Sequence, residues 1–302
     1  MNETPGLFIA APASNSGKTL VTLALLRALS KAGVRVSSAK VGPDYIDPAF
    51  HQAASKRDCV NIDPWAMRAS LQLQLKNELG ENADLTLCEG VMGLFDGARD
   101  GSGTTADLAA CFNWPVIMVV DVKGQATSAV ASLKGFVDFR SDVDIAGVIF
   151  NRVGSHNHQT MLAAAMADHL PDIKVLGYLP RHADLIMPER HLGLVQATEH
   201  KDLQGFLDKA AGWVGDHLDL SALQKIARAG ESAAPTSMDA IAPLGQHIAI
   251  ARDEAYAFCY SSMLKSWRKA GSEISFFSPL ADQSPLETAD AVYLPGGYPE
   301  LQ

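Results

Sequence analysis

The chain has 302 residues, of which 47% are hydrophobic and 20% charged, a length that allows more than one domain of roughly 150 residues. Its 34 acidic side chains outnumber its 25 basic ones, and the net charge of −9 argues against nucleic acid or an anionic membrane as a partner. No apolar run approaches the roughly 20 residues that span a bilayer, and the first residues lack the pattern of a signal peptide. We therefore expect a cytoplasmic protein with reduced, mostly buried cysteines.

Short apolar runs alternate with helical patterns along the first part of the chain. The predicted strands are 7–12, 34–42, 84–91, 115–122, 144–151 and 174–180, and helices are predicted at 18–31, 125–138 and 156–169. Continuous apolar strands alternating with helices are typical of a parallel sheet covered on both faces. The expected fold class is α/β, and ligands should bind beyond the carboxyl ends of the strands.

The segment "APASNSGKT" follows the first strand and opens the first helix, which is the setting of a phosphate-binding loop. Gly17 lets the backbone approach phosphate, Lys18 would reach the β- and γ-phosphates, and Thr19 would offer its hydroxyl to Mg²⁺. Pro12 replaces the usual first glycine, which alters the start of the loop but not these contacts. The pattern predicts a P-loop NTPase-like domain, with ATP bound by Ser14, Asn15, Ser16, Gly17, Lys18 and Thr19.

Carboxylates follow two other predicted strands. The stretch "AKVGPDYIDPAFH" supplies Asp44 and Asp47, and "LCEGVMGLFDG" supplies Glu89. Because Mg²⁺ binds through one or two carboxylates, Asp44 and Glu89 are candidate ligands together with Thr19; helix capping or a salt bridge is the alternative. Lys40 is either a second cation on the transferring phosphate or a solvated charge at a strand end.

Several longer motifs resemble a known family. They are "KVGPDYIDPAFH", "LCEGVMGLFDG", "GSGTTADLA", "PERHLGLV", "IAIARDEAYAFCY", "FFSPLAD" and "YLPGGYPEL". Together, from about residue 7 to the last residue, they resemble the cobyrinic or hydrogenobyrinic acid a,c-diamide synthases. The resemblance implies amidation of the a- and c-acetate carboxylates of a corrinoid ring in cobalamin biosynthesis, with ATP, Mg²⁺ and glutamine.

The resemblance also implies roles for individual residues. The substrate carboxylate would become an acyl phosphate, which ammonia attacks, and Lys18, Lys40 and Asp47 would be the catalytic residues. By resemblance to dethiobiotin synthetase, Asn151 and Arg152 would border the nucleotide base; the alternative for Asn151 is a turn or cap. Candidate contacts to the tetrapyrrole polycarboxylate are Tyr45, Gly93, Leu94, Ser102, Thr104, Arg190 and His191, with capping or packing as their alternative roles.

The composition changes near the end of the chain. Residues 227–245 are rich in Ala, Ser, Pro and Gly, which predicts a linker at 229–245 between a first domain at 1–228 and a second at 246–302. The resemblance implies that the first is the synthetase domain. Strands at 247–253, 273–279 and 291–297 and a helix at 255–270 resemble the first part of a flavodoxin-like glutaminase domain. The family's cysteine nucleophile would come later, and Cys259 is expected to pack inside the helix. We therefore expect the chain to use ammonium but not glutamine, with apolar faces at 247–253 and 291–294 partly uncovered.

Other functions fit the sequence less well. A partitioning-type switch ATPase has a second lysine five positions before the phosphate lysine, where this chain has Ala13. Dethiobiotin synthetase lacks the continuation after the linker. A Ni-sirohydrochlorin a,c-diamide synthase stays open as the alternative, as do a cobalt-containing or cobalt-free ring and a homodimer.

Overall fold

The computed structural model describes residues 3–187, 189–190, 193–194, 196–230 and 241–301. The chain divides into two compact units, 1–235 and 236–302. The division falls within the predicted linker at 229–245.

The first unit is built on a seven-stranded sheet. Its strands are β1 (Gly6–Ala10), β2 (Val36–Val41), β3 (Cys59–Ile62), β4 (Leu85–Glu89), β5 (Val116–Asp121), β6 (Ile145–Val153) and β7 (Lys174–Pro180). Their order is β3-β2-β4-β1-β5-β6-β7, and every neighbouring pair is parallel. The predicted parallel α/β fold is confirmed. Strand β3 was not predicted, because "CVNI" is only four residues long and includes a polar asparagine.

Helices connect these strands and cover the sheet. They are α1 (Lys18–Lys31), α2 (Asp47–Ser55), α3 (Ala69–Gly80), α4 (Thr105–Phe112), α5 (Thr127–Phe139), α6 (His156–His169), α7 (Leu203–His217) and α8 (Leu220–Ile226). Right-handed crossovers in this strand order put α1 and α2 on one face and α3 to α6 on the other. Contacts of α1 with α2 and α7, and of α5 with α6, agree with that arrangement.

Two short strands, β8 (Glu189–Arg190) and β9 (Gly193–Leu194), pair antiparallel after β7. Single turns of 3₁₀ helix lie at Ala197–Glu199, Pro279–Ala281 and Pro299–Leu301. Of the helices in the described residues, none is both long and apolar enough to cross a membrane.

The core of the first unit follows from the central position of β1. All five residues of β1 are buried, and Phe8 packs against Phe112 and Trp114 with ring centroids 6.0 and 5.9 Å apart. Gly6 is required beside this cluster, since a Cβ atom there would lie 2.3 Å from Trp114 Cε2. The amino end of β1 is thus fixed in the core, and the phosphate loop follows its carboxyl end.

The second unit contains a three-stranded parallel sheet and one α-helix. The strands are β10 (His247–Ala251), β11 (Glu273–Phe277) and β12 (Ala291–Tyr293), in the order β11-β10-β12, and the helix is α9 (Ser261–Lys269). The expectation of an uncovered face on the first strand is wrong for β10, because all its residues are buried between two neighbours. The edge strand behaves as expected, since Val292 and Leu294 are 50% and 59% exposed.

The prediction that Cys259 lies inside a helix is also wrong. Helix α9 begins at Ser261, because Asp253 Oδ1 accepts the N–H groups of Ala255 and Tyr256 and turns the preceding segment into a loop. Cys259 is partly buried in that loop, and burial raises the pKa of its thiol to about 11.

Candidate active site

Strand order brings three loops together at one edge of the first sheet. Glu89 at the end of β4 is the register partner of Lys40 in β2 and of Ile9 in β1. Because the strands are parallel, the segments after β1, β2 and β4 leave the sheet side by side. The phosphate loop, the 42–47 loop and the 90–97 loop therefore surround one site.

The phosphate loop has the backbone that close phosphate contact requires. Asn15 and Gly17 have φ angles of 63° and 87°, in the left-handed region. A Cβ atom on Gly17 would lie 2.3 Å from Asn151 Nδ2, so only glycine fits there. Asn151 Nδ2 donates to Ser16 O over 2.9 Å, and Ser16 Oγ donates to Ala13 O over 2.8 Å, which together hold the shape of the loop.

Arg152 supports the same loop from its outer side. Its guanidinium pairs with Asp121 Oδ2 at 2.5 Å and donates to Asn15 O over 3.0 Å. Asp121 and Arg152 are 25% and 38% exposed, so this pair is in contact with solvent. Asn151 and Arg152, predicted beside the nucleotide base, thus lie against the backbone of the phosphate loop. Ser14 is exposed at the tip of that loop.

A buried cluster of charges occupies the ends of β2 and β4. Lys40 Nζ lies 2.5 Å from Asp47 Oδ2 and 2.8 Å from Glu89 Oε1, and all three side chains are at most 6% exposed. Thr19 Oγ1 donates to Glu89 Oε1 over 2.6 Å and lies 3.3 Å from Asp47 Oδ2. Helix α1, in which Thr19 is the second residue, thus places the Thr19 hydroxyl beside both carboxylates.

The pKa values in this cluster depend on the balance between burial and charge. Burial raises the pKa of Asp47 to about 6, although the positive charge of Lys40 acts to lower it. Burial acts in the same direction on Glu89, but Lys40 and His51 hold its pKa well below the ordinary value. Burial opposes the charge of Lys40, yet the carboxylates raise its pKa well above the ordinary value. The cluster therefore keeps an ionised Lys40–Glu89 pair.

Lys18 is the second buried cation of the site. Its Nζ donates to Met92 O over 2.8 Å and so joins the phosphate loop to the 90–97 loop. Burial, followed by repulsion from Lys40, lowers the pKa of Lys18 from 10.5 to about 8. Such a lysine gains favourable interactions when an anion such as phosphate comes near.

The predicted metal ligand Asp44 has a different position from Asp47. Asp44 Oδ1 accepts the N–H groups of Ile46 and Asp47, each over 3.0 Å, at the start of α2. Its Oδ2 lies 3.8 Å from Lys40 Nζ, and the side chain is 30% exposed. The carboxylates in contact with Thr19 are therefore Asp47 and Glu89.

The 90–97 loop uses its predicted substrate residues partly for its own structure. Leu94 is fully buried, so its side chain holds the loop to the core and cannot contact a ligand. Its N–H donates to Ala11 O over 2.9 Å. A Cβ atom on Gly93 would lie 2.6 Å from Pro12 O, so glycine allows this loop to lie against the phosphate loop.

The remaining predicted substrate residues are divided between the surface and helix caps. Thr104 is 3% exposed and forms a capping box with Asp107 at the start of α4. Ser102 is exposed and its hydroxyl donates to Asp100 Oδ1. Tyr45 is half-buried. Arg190 lies in β8, while His191 lies outside the described residues.

His51, the last residue of the motif "KVGPDYIDPAFH", lies in the buried cluster. Its Nε2 is 2.7 Å from Glu89 Oε2, with both side chains fully buried. Burial opposes its charge, but interactions with Cys59 and Glu89 raise the pKa of His51 to about 10. The signal in the sequence was the spacing of four residues from Asp47 on one helix.

The donor set suits Mg²⁺. No group of three or more His, Cys, Asp or Glu side chains in the described part of the chain has a metal-holding arrangement. Mg²⁺ needs no such group, because it binds through one or two carboxylates and takes its other oxygens from phosphate and water. Thr19, whose hydroxyl lies within 3.3 Å of both Asp47 and Glu89, would provide the protein's share together with those two carboxylates.

Comparison with known proteins gives the family. The family described as CobQ/CobB/MinD/ParA nucleotide binding domain matches residues 7–195. The hydrogenobyrinate a,c-diamide synthase of Brucella anthropi is 55% identical over 298 residues, which are 98% of this chain and 68% of that protein. The chain belongs to the hydrogenobyrinate a,c-diamide synthase family.

Other members of the hydrogenobyrinate a,c-diamide synthase family are similarly close. The synthase from Sinorhizobium sp is 52% identical, covering 98% of this chain and 68% of that protein. The synthase from Rhodobacter capsulatus is 51% identical, covering 100% and 69%. Among solved structures, chloroplast FtsY from Physcomitrella patens gives a TM-score of 0.46 at 17% identity, covering 70% of this chain and 66% of that one.

Proposed function

We propose that the chain catalyses the ATP-dependent amidation of the a- and c-acetate carboxylates of hydrogenobyrinate, a step of cobalamin biosynthesis. The observation that carries the proposal is the buried cluster of Lys40, Asp47 and Glu89 beside the phosphate loop. The names of the relatives add the substrate and favour it over Ni-sirohydrochlorin.

The proposed chemistry has two steps at each carboxyl group. A substrate carboxylate oxygen attacks the γ-phosphorus of ATP, the bond to the β–γ bridging oxygen breaks, and ADP leaves. Ammonia then attacks the acyl carbon, the bond to the phosphate oxygen breaks, and inorganic phosphate leaves while the amine loses a proton to water. Activation is needed because a carboxylate oxygen is a poor leaving group. Two rounds give the diamide.

The residues supply position and charge, which dominate catalysis of phosphoryl transfer. Lys18, whose pKa burial lowers to about 8, would turn from Met92 O to the phosphates. Lys40 would stabilise charge on the transferring group. Thr19, Asp47 and Glu89 would hold Mg²⁺, which when bound neutralises phosphate charge; their mutual contacts favour Asp47 over Asp44 as the second carboxylate ligand.

Ammonia is the nucleophile in this proposal, and glutamine is the donor that the family implies. We assign 1–228 as the synthetase domain and 246–302 as the first part of a flavodoxin-like glutamine amidotransferase domain. Support for the second assignment comes from the parallel order β11-β10-β12, with β10 central and both faces covered. Exposed Ser102 and half-buried Tyr45 support contacts to the polycarboxylate ring.

The test uses the purified chain with hydrogenobyrinate, ATP, magnesium chloride and ammonium chloride. Mass spectrometry should show a monoamide and then a diamide, with ADP formation that depends on the tetrapyrrole. Nickel sirohydrochlorin and reactions without ammonium serve as controls. Absence of amide product under conditions in which the Brucella anthropi synthase turns over would sink the proposal.

A further inference from the structure

The two oxygens of the buried Glu89 carboxylate have different partners. Oε1 lies 2.6 Å from Thr19 Oγ1 and 2.8 Å from Lys40 Nζ. Oε2 lies 2.7 Å from His51 Nε2, and both side chains of that pair are 0% exposed. Glu89 Oε1 therefore contacts Thr19 and Lys40 at the phosphate site, while Oε2 is hydrogen-bonded to His51.

A single helix positions both His51 and a second carboxylate. Asp47 is the first residue of α2, and His51 follows four residues later, which places the two side chains on one face of the helix. Asp47 meets Lys40, and His51 meets the carboxylate of β4. Helix α2 thus carries one candidate metal ligand and the group that orients another.

Packing alone does not account for a histidine at this position. Its Nδ1 is buried and has no hydrogen-bond partner in the described part of the chain. A buried polar atom without a partner carries a desolvation cost that an apolar side chain of similar size would avoid. The contact of Nε2 with Glu89 is the interaction that offsets this cost.

We propose that His51 is a positioning residue that fixes the Glu89 carboxylate for the divalent cation of the reaction, an inference that rests on the proposed function through Glu89 as a ligand. The terminal torsion of a glutamate has a broad minimum, so an unrestrained carboxylate rotates and exchanges its oxygens. The hydrogen bond to Oε2 stops that rotation and presents Oε1 beside Thr19. Partners of this kind typically contribute about 10–100-fold to metal affinity.

The test compares His51→Gln with His51→Met. The two side chains have similar length, but only glutamine keeps an N–H donor near the position of Nε2. Mn²⁺ binding is measured by electron paramagnetic resonance with a non-hydrolysable ATP analogue and no tetrapyrrole. His51→Met should weaken Mn²⁺ binding by about 10–100-fold, and His51→Gln should stay close to the unchanged protein. His217→Asn, on α7, is the control.

The outcomes separate positioning from packing. Equal Mn²⁺ affinity in all variants would overturn the inference, and so would equal weakening in the glutamine and methionine variants, since that would show a need for the ring itself. If His51→Met does not fold, His51→Asn replaces it, because its amide lies nearer the position of Nδ1. Because the Mn²⁺ assay contains no tetrapyrrole, its result can be interpreted even if the proposed amidation fails in a separate reaction.

Discussion

The two sides of β1 stabilise the same phosphate loop by different means. Toward β2 and β4, the loop meets buried charges, with Glu89 fully buried and Lys40 3% exposed. Toward β5 and β6, it meets an amide and a solvent-contacting ion pair, Asn151 and Asp121–Arg152. Charges interact much more strongly where water is excluded than at the surface. We therefore expect the first side to control chemistry and the second to control the shape of the loop.

The largest expected effect is from Glu89→Gln, which removes a negative charge from the buried cluster on the β2 and β4 side of β1. Turnover should fall by about 10²–10³-fold, since a preorganised charge of the phosphoryl-transfer site is lost. Stability should fall by about 3–5 kcal/mol, because the buried His51 loses its carboxylate partner and Lys40 keeps only Asp47 at close range. ADP formation and urea unfolding measure the two effects.

The control for that variant is Glu81→Gln, which changes an exposed carboxylate at the end of α3. It should alter neither turnover nor stability. Near-full turnover of Glu89→Gln at saturating magnesium would show that the buried cluster is not the reaction centre.

Lys18→Met should also abolish most turnover, again by about 10²-fold or more, because the cation on the transferring phosphate is lost. Unlike Glu89→Gln, which should lower stability, Lys18→Met should leave the stability of the nucleotide-free protein unchanged or raise it. The fold lowers the pKa of Lys18, so the buried ammonium is unfavourable at neutral pH without an anion. Thermal unfolding of the nucleotide-free protein should therefore show a melting temperature no lower than that of the unchanged chain. A large loss of stability would contradict the assignment.

The same lysine gives a pH dependence. Its pKa falls from 10.5 when unfolded to about 8 when folded, so the unfolded chain binds more protons between those values. Stability should therefore rise with pH from about 8 to 10.5 relative to Lys18→Met, in which this contribution is absent. Urea unfolding at several pH values measures the difference. A constant difference over that range would refute the shifted pKa.

On the other side of β1, Asn151→Ala removes the amide that holds Ser16 O. One net hydrogen bond contributes about 1 kcal/mol, so ATP should bind about fivefold more weakly while the rate at saturating ATP changes little. Calorimetric titration of ATP and saturation kinetics separate the two quantities. A loss of turnover as large as that of Glu89→Gln would remove the distinction between the sides.

Arg152→Gln should have the smallest effect. An ion pair in contact with solvent contributes at most about 1 kcal/mol, so ATP affinity should fall by no more than about fivefold. The loss should shrink further at high salt, since mobile ions screen exposed charges. Equal losses at low and high salt would indicate a direct contact of Arg152 with the nucleotide.

Much of the fold could be predicted from local patterns, but contacts between residues far apart in the sequence could not. Helices α1 and α6 have the predicted bounds, 18–31 and 156–169, because the residue pattern that forms a helix is local in the chain. Lys40 and Glu89 lie opposite each other because β4 inserts between β2 and β1, and chain order does not reveal that insertion.

Side-chain direction limited prediction of the site in the same way. Asp44 and Asp47 are equivalent in the sequence, and only the start of α2 decides that Asp44 accepts two backbone N–H groups while Asp47 lies beside Thr19. Leu94 was expected at the ligand but packs into the core. His51 required the position of β4 before its spacing from Asp47 had meaning.

The register of Lys40 opposite Glu89 limits how the length of this sequence can change during evolution. Insertion of one residue within β2 or β4 would turn the following side chains to the other face of the sheet and separate the pair. The turn at 32–35 can absorb an insertion before β2 begins. Gaps among homologous sequences should therefore collect in such turns and be absent from 36–41 and 85–89, even where the amino acids there differ.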